Sequence, residues 1–171
     1  MLLKNIKKII NLSCHLTFIF FLASCGFKPI YSNDNNNNIN QLLTNIKIQA
    51  SNKKDNLFLK NYIYDYINPY NNSNPDYQYI LLLDISKNIS TAYITKTGSS
   101  GRNRVQIDVK FTLKEITNSE IILQNTISLS DNYDVTSNRY ATHKMEEYII
   151  KNILKIIAKD IRNNIIQHFN P

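Results

Sequence analysis

The chain has 171 residues, enough for one ordinary domain and too few for two comfortable ones. Apolar residues make up 43% of it and charged residues 19%, so a real core is available and the abundance of Asn is weak evidence for disorder. The net charge is +7, but Lys4, Lys7 and Lys8 supply three of those charges ahead of the first acid, Asp34; the basic balance is therefore no nucleic-acid signature, and no RNA- or DNA-binding motif accompanies it.

Those three lysines open a short positive region, and Ile9 to Leu22 is mostly apolar, densest in "LTFIFFLA". A membrane-spanning helix needs roughly 20 largely apolar residues. This stretch is shorter and closes on the small residues Ala23 and Ser24, which is the layout of a cleavable export signal over residues 1–24. A retained N-terminal anchor helix is the alternative. Leu22-Ala23-Ser24-Cys25 resembles a bacterial lipobox, in which the thiol carries a diacylglyceryl group and the chain is cut just before it. Cys14 is a poorer candidate, because Asn11 stands where the lipobox has Leu. Cleavage would leave Cys25 as the one cysteine, so the mature chain could form neither an internal disulfide nor a cysteine-based metal cluster. Gly26 follows where lipoproteins held in the inner membrane often carry Asp, which leans toward the outer membrane.

Residues 25–43 form the expected lipidated start and polar tether, with "SNDNNNNIN" over 32–40 as a low-complexity linker. A calcium loop on Asp34, Asn36 and Asn38 fails, because Ile39 replaces the required glycine and Asn45 the terminal carboxylate. One α+β domain is expected over 44–171. Ile46 and Ile48 alternate with polar neighbours as a short strand. Asp55 is placed to cap a helix over "NLFLKNYIYDYIN", which Asn68-Pro69 stops. Tyr77 to Ser86 is a strand with Tyr77, Tyr79, Leu81, Leu83 and Ile85 on one face, and it continues extended to Thr97. "TGSSGRNR" over 97–104 is expected to be a hairpin loop. Arg104 to Glu115 is the cleanest strand, with Val105, Ile107, Val109, Phe111 and Leu113 on one face. Glu120 to Tyr133 returns, with Ile121, Leu123, Ile127 and Leu129 inward. Thr136 or Ser137 is placed to cap a final helix to about Phe169, roughly 45 Å long. Its apolar face (Ile149, Ile150, Ile153, Leu154, Ile156, Ile157, Ile161) is expected to oppose a basic stripe of Lys144, Lys151, Lys155, Lys159 and Arg162.

The expected order is β-α-β-β-β-α: an α+β two-layer sandwich, with a four-stranded, mostly antiparallel sheet and two helices on one face. No residue pattern points to catalysis. His143 and His168 lie far apart on one helix without a second ligand at metal spacing. Glu146 and Glu147 diverge by about 100° around that helix, too far for an acid/base pair. "GSSGR" lacks the Lys-Ser/Thr of a phosphate loop.

"CGFKPIY" over 25–31 closely resembles the "CGFRPLY" start of alphaproteobacterial lipopolysaccharide-assembly lipoproteins, the LptE family, with Lys28 and Ile30 as conservative departures. The likeness extends to the element order, to the loop with Gly101, Arg102 and Arg104, and to "YDVTSNRYA" before the last helix. The resemblance implies a non-enzymatic lipoprotein on the periplasmic side of the outer membrane. It would plug and help assemble a large LptD-like β-barrel and assist lipopolysaccharide delivery to the outer leaflet. No cofactor, no metal and no nucleic acid is implied beyond the lipid on Cys25. Lipopolysaccharide carries anionic groups near its lipid, and Lys96, Arg102 and Arg104 are the expected partners for them. The alternative is an accessory lipoprotein of a phospholipid or ABC-type envelope transport system.

Overall fold

Strict alternation decides the centre of the molecule. Val105, Ile107, Val109, Phe111 and Leu113 are each 0% exposed, because successive side chains of a strand point to opposite faces and this one faces the helices. The structure is a computed structural model that describes residues 36–68, 76–94, 96 and 100–169. The elements are α1 (Asn36–Thr44), β1 (Ile46–Gln49), α2 (Lys54–Ile67), β2 (Tyr79–Ile94), β3 (Ser100–Glu115), β4 (Ile121–Asp134) and α3 (Arg139–Phe169).

The sheet order is β1-β2-β3-β4. β1 runs parallel to β2, with Ile46 opposite Tyr79 and Gln49 opposite Leu82; the other two pairings are antiparallel. A parallel neighbour needs a crossover, and α2 supplies it. This is the expected α+β sandwich, its sheet mixed through the one parallel pair. α2 and α3 lie on the same face of the sheet. Leu59, Ile63 and Ile67 of α2 join Ile153, Leu154, Ile157, Ile161 and Ile165 of α3 in one core with β3. Each such side chain contributes about 1.5–3 kcal/mol by leaving water, set against the entropy of ordering it.

Several local expectations are corrected. Residues 36–43, expected inside the polar tether, form α1 together with Thr44, because Ile39, Leu42 and Leu43 fall on one helical face and Leu43 is buried in the core. Residues 25–35 lie outside the described residues. Asp55 does not cap α2: Lys53 holds that position without a side-chain bond, while Asp55 pairs with Lys87 of β2 at 2.7 Å. Buried Asn56 donates to Ser51 Oγ and fastens the loop before α2. The cap of α3 is neither Thr136 nor Ser137 but Asn138, whose Oδ1 accepts from the N–H groups of Tyr140 (3.0 Å) and Ala141 (3.2 Å). Thr136 supports the same turn as a donor: its backbone N–H donates to Thr142 Oγ1 at 3.0 Å.

Gly101 to Arg104, expected in a loop, belong to β3; Arg102 to Arg104 pair with both neighbours, Arg104 lying between Ser90 and Asn132. Ile121 is not inward. The ladder slips between Leu113 and Lys114, so that Leu113 faces Leu123 while Lys114 faces Ile121. The extra residue moves Ile121 to the outer face, where it is 52% exposed. Ile156, expected on the apolar face of α3, is instead 53% exposed, between buried Leu154 and Ile157 but turned away from the core, and the basic stripe of α3 is not a free opposite face either. Arg162 Nε donates to the Tyr66 carbonyl of α2 at 3.1 Å, and Lys151 lies 3.5 Å from Glu147 beside the α2 seam.

Candidate functional site

The strands β2, β3 and β4 run past the helices, and their far ends carry the basic residues singled out from the sequence. Arg102 and Asp134 are register partners on β3 and β4, which sets Arg102 Nε 2.9 Å from Asp134 Oδ1. Arg104 and Asn132 are the next such pair, and Arg104 Nε donates to Asn132 Oδ1 at 3.3 Å. With Ala92, Tyr93 and Gly101 these four residues line an open hollow of about 560 Å³. Lys96 is exposed in the turn between β2 and β3. The three cations are thus on one end of the sheet, with Arg102 and Arg104 in one hollow.

Exposed Tyr93 is the register partner of Arg102, and exposed Ile94 follows it opposite Ser100. The end therefore combines apolar surface with guanidinium groups, which suits a ligand with an anionic group next to hydrocarbon. Asp134 partly neutralises Arg102. An exposed pair of this kind is worth only about 0–1 kcal/mol, so an incoming phosphate or carboxylate can replace it. Asp134, Asn132 and Tyr93 were not foreseen from the sequence. The signal that could have found them is the ladder register, which is visible only once β3 is known to begin before Arg104.

Behind this end, a polar relay ties sheet to helix. Asn103 Nδ2 donates to Tyr133 Oη at 3.2 Å, and Tyr133 Oη donates to Glu146 Oε2 at 2.9 Å. Burial pushes the Tyr133 phenol above its usual value, Asn103 opposes the shift, and the Glu146 carboxylate adds to it. Glu147, one residue on, faces elsewhere. It meets Lys54 at 3.0 Å, Lys151 at 3.5 Å and Lys144 at 3.6 Å. The hydrogen bond from Lys54, then the charges of Lys151 and Lys54, lower its carboxyl to about 2. Lys54 and Lys151 also stand over the Phe58 ring. A small hollow of about 180 Å³ beside this cluster is lined by Asp55, Lys87 and His143 among others, and its acids and bases already answer one another. His143 and His168 are both exposed on α3; His168 stacks edge-on against Phe169. Among the described residues, no group of three or more His, Cys, Asp or Glu could hold a metal.

The outer face of the sheet carries Ser86, Asn88, Gln106, Lys110, Thr112, Thr126, Ser128 and Ser130. Hydrogen bonds from Ser128 and Gln106 hold the Asp108 carboxyl in its middle below the usual range. Both helices that cover the sheet lie on the other side, so this is a mostly polar surface of hydroxyls, amides and charged groups, with Ile80, Leu82 and Ile121 among them.

The geometry defines a class: a two-layer α+β sandwich with one helix-covered and one polar sheet face and a basic far end. No protein-family model matches the chain, and no curated protein matches its sequence. Solved structures share the fold. A Caulobacter crescentus CB15 protein described as a lipoprotein superposes with a TM-score of 0.62 at 16% identity, over 76% of this chain and 93% of that one. The rare lipoprotein B of Shewanella oneidensis gives 0.58 at 16% identity, over 71% and 93%. A minor lipoprotein of Acinetobacter baumannii gives 0.55 at 14% identity, over 71% and 90%. The chain has the rare-lipoprotein-B fold, that of LptE-like proteins.

Proposed function

We propose that this chain is an outer-membrane lipoprotein, anchored through Cys25 on the periplasmic side, that plugs and helps assemble an LptD-like β-barrel and assists the passage of lipopolysaccharide to the outer leaflet. The observation that carries the reading is the fold, shared with lipoproteins from three species over most of their length. It occurs on a chain whose own "LASC" at 22–25 resembles a lipobox and whose "CGFKPIY" resembles the start of the LptE family.

The physical roles follow from the surfaces. Acyl chains on Cys25 would each add about 0.8 kcal/mol per buried CH₂, and two or three hold a protein on a membrane durably. The polar outer sheet face matches a barrel lumen, which is itself lined with polar side chains. At the far end, Arg102 and Arg104, with Lys96 beside them, offer charge-assisted bonds to the anionic groups of lipopolysaccharide, while Tyr93 and Ile94 meet its hydrocarbon. The role is one of binding and assembly, with no bond made or broken by the domain and no cofactor or metal.

The test is purification of the native chain from membranes. An acylated N-terminal Cys25 by mass spectrometry, together with a co-purifying heat-modifiable barrel, is the expected result. Co-purification of inner-membrane ATPase components in place of a barrel would overturn it.

A further inference from the structure

The two edges of the sheet are unlike. β1 closes one of them with four residues and carries Lys47 inside it; short edge strands and edge lysines keep other strands from pairing there. β4 closes the other with 14 residues. Its first ten, "IILQNTISLS" over 121–130, hold no charge and no proline. Among the described residues, no strand pairs with its outer edge.

Hydrogen bonds show which groups of β4 face outward. The N–H of Thr126 donates to Asn125 Oδ1 and that of Asn132 to Asp131 Oδ1, each at 2.7 Å. The N–H of Val135, by contrast, donates to the Gly101 carbonyl of β3 at 3.1 Å. Antiparallel ladders alternate, so Gln124, Thr126, Ser128, Ser130 and Asn132 turn their backbone groups outward. Beneath them, α3 adds an apolar flank. Glu147, Lys151 and Arg162 mark the side of α3 that faces α2, through Lys54, Phe58 and the Tyr66 carbonyl. Met145, Ile149 and Ile156 lie on the opposite flank, toward β4, and Met145 is 48% and Ile156 53% exposed. The bonds Asn125–Asn164 and Tyr133–Glu146 fix the level of the helix against the strand. At about 1.5 Å per helical residue and about 3.4 Å per strand residue, Ile156 stands level with Ser128.

We infer that this edge pairs with the same edge of a second copy of the chain, β4 antiparallel to β4, about a two-fold axis through Ser128. A two-fold interface sets one patch against itself, and this patch is self-complementary. With Ser128 opposite its counterpart, Ile127 meets Leu129 and Asn125 meets Asp131 on the helix side, each twice. Thr126 meets Ser130 and Gln124 meets Asn132 on the outer side. Apolar and hydroxyl cross-strand pairs stabilise such a ladder, and the Asn125 amide faces a carboxylate that can accept from it. Other registers lose this match: an axis at Ile127 sets Asn125 against Leu129, and one at Leu129 sets Ile127 against Asp131. The axis through Ser128 also brings Ile156 to its own counterpart in the helix layer. The pairing uses an edge, so it leaves the outer sheet face and the arginine hollow uncovered, and it does not depend on the proposed function.

The test uses the full chain purified in detergent. Sedimentation equilibrium should find two copies per particle. Ser128→Cys should give a disulfide-linked dimer on mild oxidation, because directly opposed residues stand about 5.5 Å apart at Cα. Ser130→Cys, roughly 14 Å from its counterpart, should not, and the parent chain controls for Cys14 and Cys25. Ser128→Lys and Ile156→Glu, both at exposed positions, should each weaken association roughly tenfold or more with an unchanged circular dichroism spectrum. A chain that stays single at every concentration overturns the inference. So does a dimer that Ser128→Cys fails to cross-link or that both charged variants leave intact, since it uses another surface. Cross-linking of the Ser128→Cys thiol variant to a co-purifying barrel in place of a second copy overturns it too, and leaves the proposed function standing.

Discussion

Tyr133 Oη lies 2.9 Å from Glu146 Oε2, so the last strand is fastened to the first turns of the last helix. Tyr133 is 4% exposed, and its hydroxyl also accepts from Asn103. This relay is the polar closure of the core just beneath the arginine hollow. Replacing Tyr133 by Phe keeps the ring and removes both bonds. A loss of about 1–2 kcal/mol is expected, because half-buried Glu146 and Asn103 lose a partner. Urea denaturation of the two proteins measures it; equal midpoints would show that water replaces the hydroxyl without cost.

Asn138 closes the start of α3 through two backbone N–H groups. Asn138→Ala should cost about 1 kcal/mol, seen as a fall of a few degrees in Tm. Ser137→Ala should leave Tm within error, since the capping oxygen comes from the next residue.

Glu147 provides a pH test with a definite sign. Its carboxyl is lowered from 4.5 to about 2 by Lys54 and Lys151. A depressed acid contributes its full stabilisation above the unfolded value and loses it as pH falls through the folded one. Stability should therefore decline from about pH 4.5 toward pH 2, and Glu147→Gln should flatten that part of the profile. Added salt should flatten it too, since Lys54 is 65% and Lys151 39% exposed. An unchanged profile in Glu147→Gln would move the acid sensitivity to other carboxylates.

Arg102→Glu with Arg104→Glu reverses the charge of the far hollow. Binding of lipopolysaccharide should weaken roughly tenfold or more, about 1.4 kcal/mol. The fold should survive, because both side chains are exposed, and circular dichroism would confirm it. Unchanged binding in the folded variant rejects these arginines as the ligand's partners.

Phe111 is 0% exposed at the centre of β3, opposite Leu83 and Asn125. Phe111→Ala should cost about 3–5 kcal/mol. Lys110→Ala, next to it on the outer face, should change stability by less than about 0.5 kcal/mol. The contrast between the two is a direct check on which face of the sheet the helices cover.

Periodicity carried much of the fold. The 105–113 alternation and the isoleucine spacing of 149–161 can each be buried in one way only, so the strand, the helix and their meeting faces were legible in the residues. Binary pattern says which side of an element seeks the core, and that is a local property. Turn and cap details were less legible. Asn138 competed with two equally good neighbours, and the helicity of 36–44 was hidden among asparagines. The lipobox-like "LASC" and the "CGFKPIY" start are readings of the sequence alone and lie outside the described residues.

Other features depended on distance in three dimensions. Strand register decided that Arg102 faces Asp134 and Arg104 faces Asn132. Tertiary packing also set the uncharged edge of β4 beside Ile156 of α3, remote in the chain. A one-residue slip beside Leu113 was enough to turn Ile121 from the core to the surface. Local pattern cannot specify such a slip, because it reflects how two strands fit each other. Residue order therefore determined the elements and the faces they bury, whereas tertiary pairing decided which charges and which exposed apolar groups share a surface. The physical reason is that burial preference belongs to each side chain, and proximity belongs to the assembled sheet.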